Sequence, residues 1–151
     1  MTFKELVENI YDGLVTAKAN AAACTPLKTA HLYKYEQISV PDQYAVLVVP
    51  MSEQEAGRAI GVVEEQRSLR LTCEAKLTQG TSAADELANA EALMFLANQV
   101  KAWVRTHRSG GTSPDYVYSG WVESVEYSMY SRGDVDKRAA LINCTFKCKE
   151  T

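Results

Sequence analysis

The stretch TSAADELANAEALMFLANQVKAWVRTH, residues 81–107, reads as one long helix that the other elements must pack against. Ser82 is placed to cap it, with Asp85 three residues on as the acid of a capping box. Leu87, Ala90, Leu93, Ala97, Val100 and Val104 recur at three- and four-residue steps and predict one apolar stripe. Acids Asp85, Glu86 and Glu91 fall in its first half, and Lys101, Arg105 and Arg108 at or just past its end, a polarity that suits the helix dipole. Ser109-Gly110-Gly111 is expected to stop it. Met94, Phe95, Leu96 and Trp103 widen the apolar face, so contact with more than one sheet surface is expected. No polar groups converge on the stripe as a cofactor site would require, which leaves an ordinary core helix.

Upstream, Thr2 and Glu5 form a second capping box, and Phe3, Leu6, Val7, Ile10, Leu14 and Ala17 make a helical stripe that ends before Pro26. Residues 27–42 read as an extended connector holding one short strand. The run YAVLVV, residues 44–49, reads as a strand buried on both faces and ended by Pro50. Residues 51–66 carry Glu53, Glu55, Glu64 and Glu65 against a lone Arg58, with Gly57 and Gly61 interrupting. They read as an exposed acidic arm in which Ile60, Val62 and Val63 suit either strand or loop. Arg67 opens the clearest strand: Leu69, Leu71, Cys73, Ala75 and Leu77 point to a core, and Ser68, Arg70, Thr72, Glu74 and Lys76 to a wet or interfacial face.

Beyond the long helix, a loop over residues 110–114 leads to a strand with Val117, Trp121, Val125 and Met129 among polar residues. Ser131-Arg132-Gly133-Asp134 supplies turn chemistry, and the last strand sets Ala140, Ile142, Cys144, Phe146 and Cys148 on one face. These two strands predict an antiparallel hairpin. The fold class expected is α+β in a single domain over residues 1–151: a mixed or antiparallel sheet covered by an N-terminal helix and one long central helix, with a C-terminal β-hairpin.

A chain of 151 residues, 46% hydrophobic, is long enough for a substantial core. The net charge of −3 and isoelectric point near 5.4 argue against a general nucleic-acid binder. No apolar run approaches the roughly 18 residues of a membrane span. MTFKELVENI is amphipathic and acidic where a signal peptide is basic and then apolar, so a cytosolic site of synthesis is expected. Cys144 and Cys148 on one strand face would lie about 13 Å apart, too far for a disulfide. Together with Cys24, Cys73 and only His31 and His107, they predict reduced thiols and no metal site.

Catalytic motifs are missing: there is no G-x-S-x-G, G-x-x-x-x-G-K-[ST], H-E-x-x-H or G-x-G-x-x-G pattern. Arg132-Gly133-Asp134 is explained by its turn, and the sequon Asn143-Cys144-Thr145 falls inside a strand.

The order of elements resembles that of the tail terminator or tail-completion (neck) proteins of long-tailed bacteriophages. An amphipathic first helix leads through a connector to QYAVLVVP (43–50), a polar loop, RSLRLTCEAKL (67–77), the long helix, and SGWVESVEYSMYSRGDVDKRAALINCTFK (119–147). Arg138-Ala139-Ala140-Leu141-Ile142 matches the arginine and small apolar residues that feed the final strand in that family. The likeness spans nearly the whole chain as pattern and order. It implies a structural virion protein, with no enzyme activity and no cofactor, made in the bacterial host cytoplasm. Such a protein forms a homohexameric ring that caps the tail tube, ends its polymerisation and joins the tail to a neck or head-completion protein. DNA passes through its lumen without specific binding.

For the ring contact, the arm (Glu53, Glu55, Arg58, Glu64, Glu65) is expected to reach Arg67 and Arg70 of a neighbour, with Arg132 in reserve. A merely solvated loop is the other reading of the arm. The alternative function is a small cytosolic ligand-binding or enzymatic α+β domain, its pocket between the long helix and the sheet.

Overall fold

A computed structural model describes residues 2–59, 62–78, 82–107 and 117–150. In chain order the elements are α1 (Phe3–Asn20), α2 (Pro26–Thr29), β1 (His31–Lys34), β2 (Tyr44–Ala59), β3 (Val62–Lys76), α3 (Ala83–Thr106), β4 (Val117–Arg132) and β5 (Val135–Glu150). The fold is α+β. One mixed five-stranded sheet has the order β1-β2-β3-β5-β4, with β1 parallel to β2 and every other pair antiparallel. Each long strand spans about 50 Å at roughly 3.3 Å per residue.

Both capping boxes form, Thr2 with Glu5 on α1 and Ser82 with Asp85 on α3. Each satisfies N–H groups that a helix start leaves without partners. Leu6, Val7, Ile10 and Leu14 of α1 and Leu93, Leu96, Ala97, Val100 and Val104 of α3 are buried. They pack on Leu69, Leu71, Cys73 and Ala75 of β3 and on Ala140, Ile142, Cys144, Phe146 and Cys148 of β5. The two helices meet where Gly13 approaches Trp103; an ideal Cβ there would lie 2.2 Å from the indole Cζ2, so only glycine leaves room for the ring. All four cysteines are free, with Cys24 exposed and the others buried. Burial pushes the Cys144 thiol up to about 12. Among the described residues no helix is long and apolar enough to cross a membrane.

Several expectations are corrected. Pro50 does not end its strand: β2 runs on to Ala59, and a bulge between Pro50 and Ser52 absorbs the missing N–H donor. Of the segment 51–66, the described residues 51–59 and 62–66 are strand, in β2 and β3, while Ile60 and Gly61 lie outside the described residues. Leu87, Met94, Phe95 and Met129 are exposed, and Trp121 is only half-buried, its Nε1 donating to Glu123 Oε1 at 2.7 Å. A bulge between Val122 and Ser124 shifts the inward alternation of β4, so Val122 joins the expected Val125 in packing against the core. The polar face of β3 is not uniformly wet, because Thr72 and Glu74 are buried. The expected stop at Ser109-Gly110-Gly111 and the loop at 110–114 lie outside the described residues.

The sheet face opposite the helices has its own small core, Val40, Ala45, Leu47 and Val49, with Tyr33 packed against it. The chain between β1 and β2 makes that cover. Tyr35 adopts a left-handed backbone, φ 68°, and the chain turns there so that Glu36 and Gln37 meet Arg132. The hairpin joining β4 and β5 turns through Gly133-Asp134, where Gly133 has φ 61°, a conformation that favours glycine.

Candidate functional site

Three regions bear on function: two surfaces and one buried charged cluster. The first is the acidic arm. Register sets Glu53 opposite Arg67, Glu55 opposite Glu65, and Gly57 opposite Glu64. Side chains alternate along β3, so Arg67 and Glu65 share the face of Leu69, which looks toward the helices, and their partners Glu53 and Glu55 share it too. Glu64 looks the other way. Glu53 and Glu55 are exposed, and Glu64 and Glu65 half-buried. The Arg58 side chain lies outside the described ones.

Arg67 and Arg132, expected at a contact between copies, are instead buried within the chain. Arg67 is 1% exposed, its guanidinium 5.7 Å from the centre of the Phe3 ring and close enough to Cys148 to oppose the rise in thiol pKa that burial causes. Its long side chain fills space beneath the start of α1. Arg132 closes the far end of the sheet. Its Nη2 and Nε donate to Glu74 Oε2 at 2.7 and 2.9 Å, and its Nη1 to Glu36 and to the Gln37 carbonyl. Glu74 also accepts from the Tyr130 hydroxyl. Glu74 and Lys137 are both fully buried, and Lys137 Nζ donates to the Asp42 carbonyl at 3.0 Å. Burial lowers the lysine's pKa. Arg70 alone of the three arginines stays on an open face, half-buried and donating to Asn143 Oδ1 at 3.0 Å. Arg67 and Glu74 stand seven residues apart on β3, roughly 23 Å, so the arm and the Arg132 cluster do not form one site.

The Arg132 cluster makes alkaline stability a test of its surroundings. Burial and a hydrogen bond to Asp42 push the Tyr33 phenol up to about 12; burial and the bond to Glu74 likewise raise Tyr130. A phenol with a raised pKa in the folded state contributes stability that is complete below the unfolded value near 10 and is lost as pH rises through the folded value. Urea midpoints are therefore expected to fall between about pH 10 and 12, and Tyr33→Phe to flatten that fall. An unchanged slope in the variant would remove Tyr33 from the linkage.

The third region lies beside β4, which ends the sheet with one edge unpaired among the described residues. Between that edge and α3 runs a groove of about 480 Å³, lined by Ala90, Leu93, Met94, Tyr127, Met129 and Arg138 among others. Met94, Tyr127 and Met129 are each more than half exposed. Arg138 Nε donates to Asn89 Oδ1 at 3.2 Å, and no carboxylate pairs with this guanidinium among the described residues. The sequence held a signal for this surface. At about 100° per residue, Leu87 and Met94 fall together on one flank of the stripe centred near Leu93 and Val100, a second apolar strip with no core to meet.

Among the described residues no three His, Cys, Asp or Glu side chains gather as a metal cage would. Comparison with known protein families finds no family model that matches the chain, and comparison with curated proteins finds no match either.

Proposed function

We propose that this chain is a structural subunit of a long-tailed bacteriophage virion. It closes into a ring on the last layer of the tail tube, ends tube growth and offers a surface to the neck. Its role is structural rather than catalytic, and DNA passes through the ring unbound.

One observation carries the reading: among the described residues two different stretches of strand edge stay unpaired on opposite sides of one sheet, the β2 arm and the β4 edge with its groove. A ring needs such a heterologous pair, because each copy must offer one surface to the neighbour ahead and another to the neighbour behind. The resemblance in element order supplies the assembly, and net charge −3 suits a lumen to which phosphate does not adhere. The groove also favours a second reading, a binding domain for a small amphipathic ligand. Saturable binding of one such ligand per monomer would support it.

Native mass measurement of the purified protein, alone and with a tail-tube protein, tests the first reading. The expected result is a closed species near six times 16.7 kDa, about 100 kDa, that binds tube ends and limits tube length. A monomer under both conditions, with tube length unchanged, would overturn it.

A further inference from the structure

Among the described residues the β2 and β4 edges are both bare over part of their length, and the two bare stretches differ. β1 pairs with β2 only over Ala45 to Val48, so among the described residues no strand lies outside β2 from Pro50 onward. Bulges at Pro50/Ser52 and Glu55/Gly57 leave residues 52–55 as the longest regular run on that edge, ahead of the shorter run 57–59. On β4, bulges lie between Val117 and Ser119 and between Val122 and Ser124, so the longest regular run is residues 124–132. That run borders the groove. Bare edges offer rows of N–H and C=O groups to another strand, and proteins usually shorten, charge or cover them.

We propose that the β2 arm of one copy adds as a strand to the β4 edge of a second copy, with Glu53 directed to Arg138 across the groove. This rests on the reading of the chain as a self-associating subunit and names the contact that does it. Charge favours this occupant. Arg138 is the cross-strand partner of Met129 and lies on the helix-facing side of the sheet, as Glu53 does. The same face of the β4 run carries Val125, Tyr127 and Met129 and no acid, whereas Glu126 faces away. A strand added beside Met129 stands about 10 Å from the Arg138 backbone, two strand spacings, which an arginine and a glutamate together bridge. The added strand also covers Tyr127 and Met129, whose apolar surface the isolated subunit leaves in water.

Within one chain the two runs cannot meet. Glu53 aligns with Arg67, Phe146 and then Gly120, and Met129 is nine residues further along β4, roughly 30 Å away. A disulfide between positions 53 and 129 therefore forms only between copies. In a Cys24→Ser background, Glu53→Cys/Met129→Cys is expected to give a ladder of oxidised multimers on denaturing gels. Mixing the two single-cysteine variants should stop at dimers. Arg138→Glu and Glu53→Arg should each weaken assembly at least tenfold, and combining them should restore it, provided circular dichroism shows each variant folded. Met129→Lys, at an exposed position, gives a second disruption that does not touch the core.

If the wild-type chain assembles, alone or with tube protein, but yields no ladder and ignores the charge swap, this contact is wrong and the ring reading survives. A wild type that never assembles overturns both. Saturable ligand binding in the groove that leaves assembly intact also removes the arm from it.

Discussion

Arg132→Met is expected to destabilise the fold by about 3–5 kcal/mol, measured by urea unfolding. The methionine keeps most of the side chain's apolar stem, so the loss falls on charge rather than packing. Glu74 is fully buried and takes three hydrogen bonds from two guanidinium nitrogens of Arg132. Removing the cation leaves that carboxylate in the interior beside the Tyr130 hydroxyl and Lys137. It also releases Glu36 and the Gln37 carbonyl, which hold the chain between β1 and β2 across the sheet. Replacing Glu74 by leucine in the same chain should recover part of the loss, because a buried pair exchanged for apolar residues costs less than one partner removed. A single-variant cost below about 1 kcal/mol would mean the cluster does not hold that end of the sheet together.

Leu93→Ala is expected to cost about 2–5 kcal/mol. Leu93 is 1% exposed and sits in the main core while also reaching the floor of the groove. Its truncation removes packing and leaves a void that rigid α3 and the strands beneath it cannot close. Thermal and urea melts should agree on the loss. A cost within experimental error would place Leu93 on the outer side of α3 and overturn the helix register.

The helices and the β5 face were readable because their signals are local and repeat. Two capping boxes, two apolar stripes and the alternation from Ala140 to Cys148 each state a direction within a few residues. What failed depended on partners distant in sequence. Pro50 reads as a terminator until a bulge opposite Leu69 accommodates it. Arg132 reads as a turn residue because its acids, Glu36 and Glu74, lie 96 and 58 positions away. Arg67 alternates with Leu69, and its burial could have been taken from that phase; its charge argued the other way, and the Phe3 ring that covers it comes from another element. The candidate surface was half visible. The four arm glutamates stand out in the sequence, but the groove needs α3 and β4 brought together, and only Leu87 and Met94 hinted at it.

The place of β5 between β3 and β4 also governs how the chain folds. The β4–β5 hairpin closes on itself through a tight turn, and β2 and β3 are joined as neighbours, so both pairs can form within microseconds. The seam between them is different: Arg70 meets Asn143 across 73 positions of chain, with all of α3 in between. Closing so long a loop before its contacts reward it slows folding. Until the seam zips, the edges of β3 and β5 are as bare as those of β2 and β4, and their apolar faces lack helices. A nascent chain therefore carries four sites for mispairing where the folded one keeps two, and the speed of this one closure sets how long that exposure lasts.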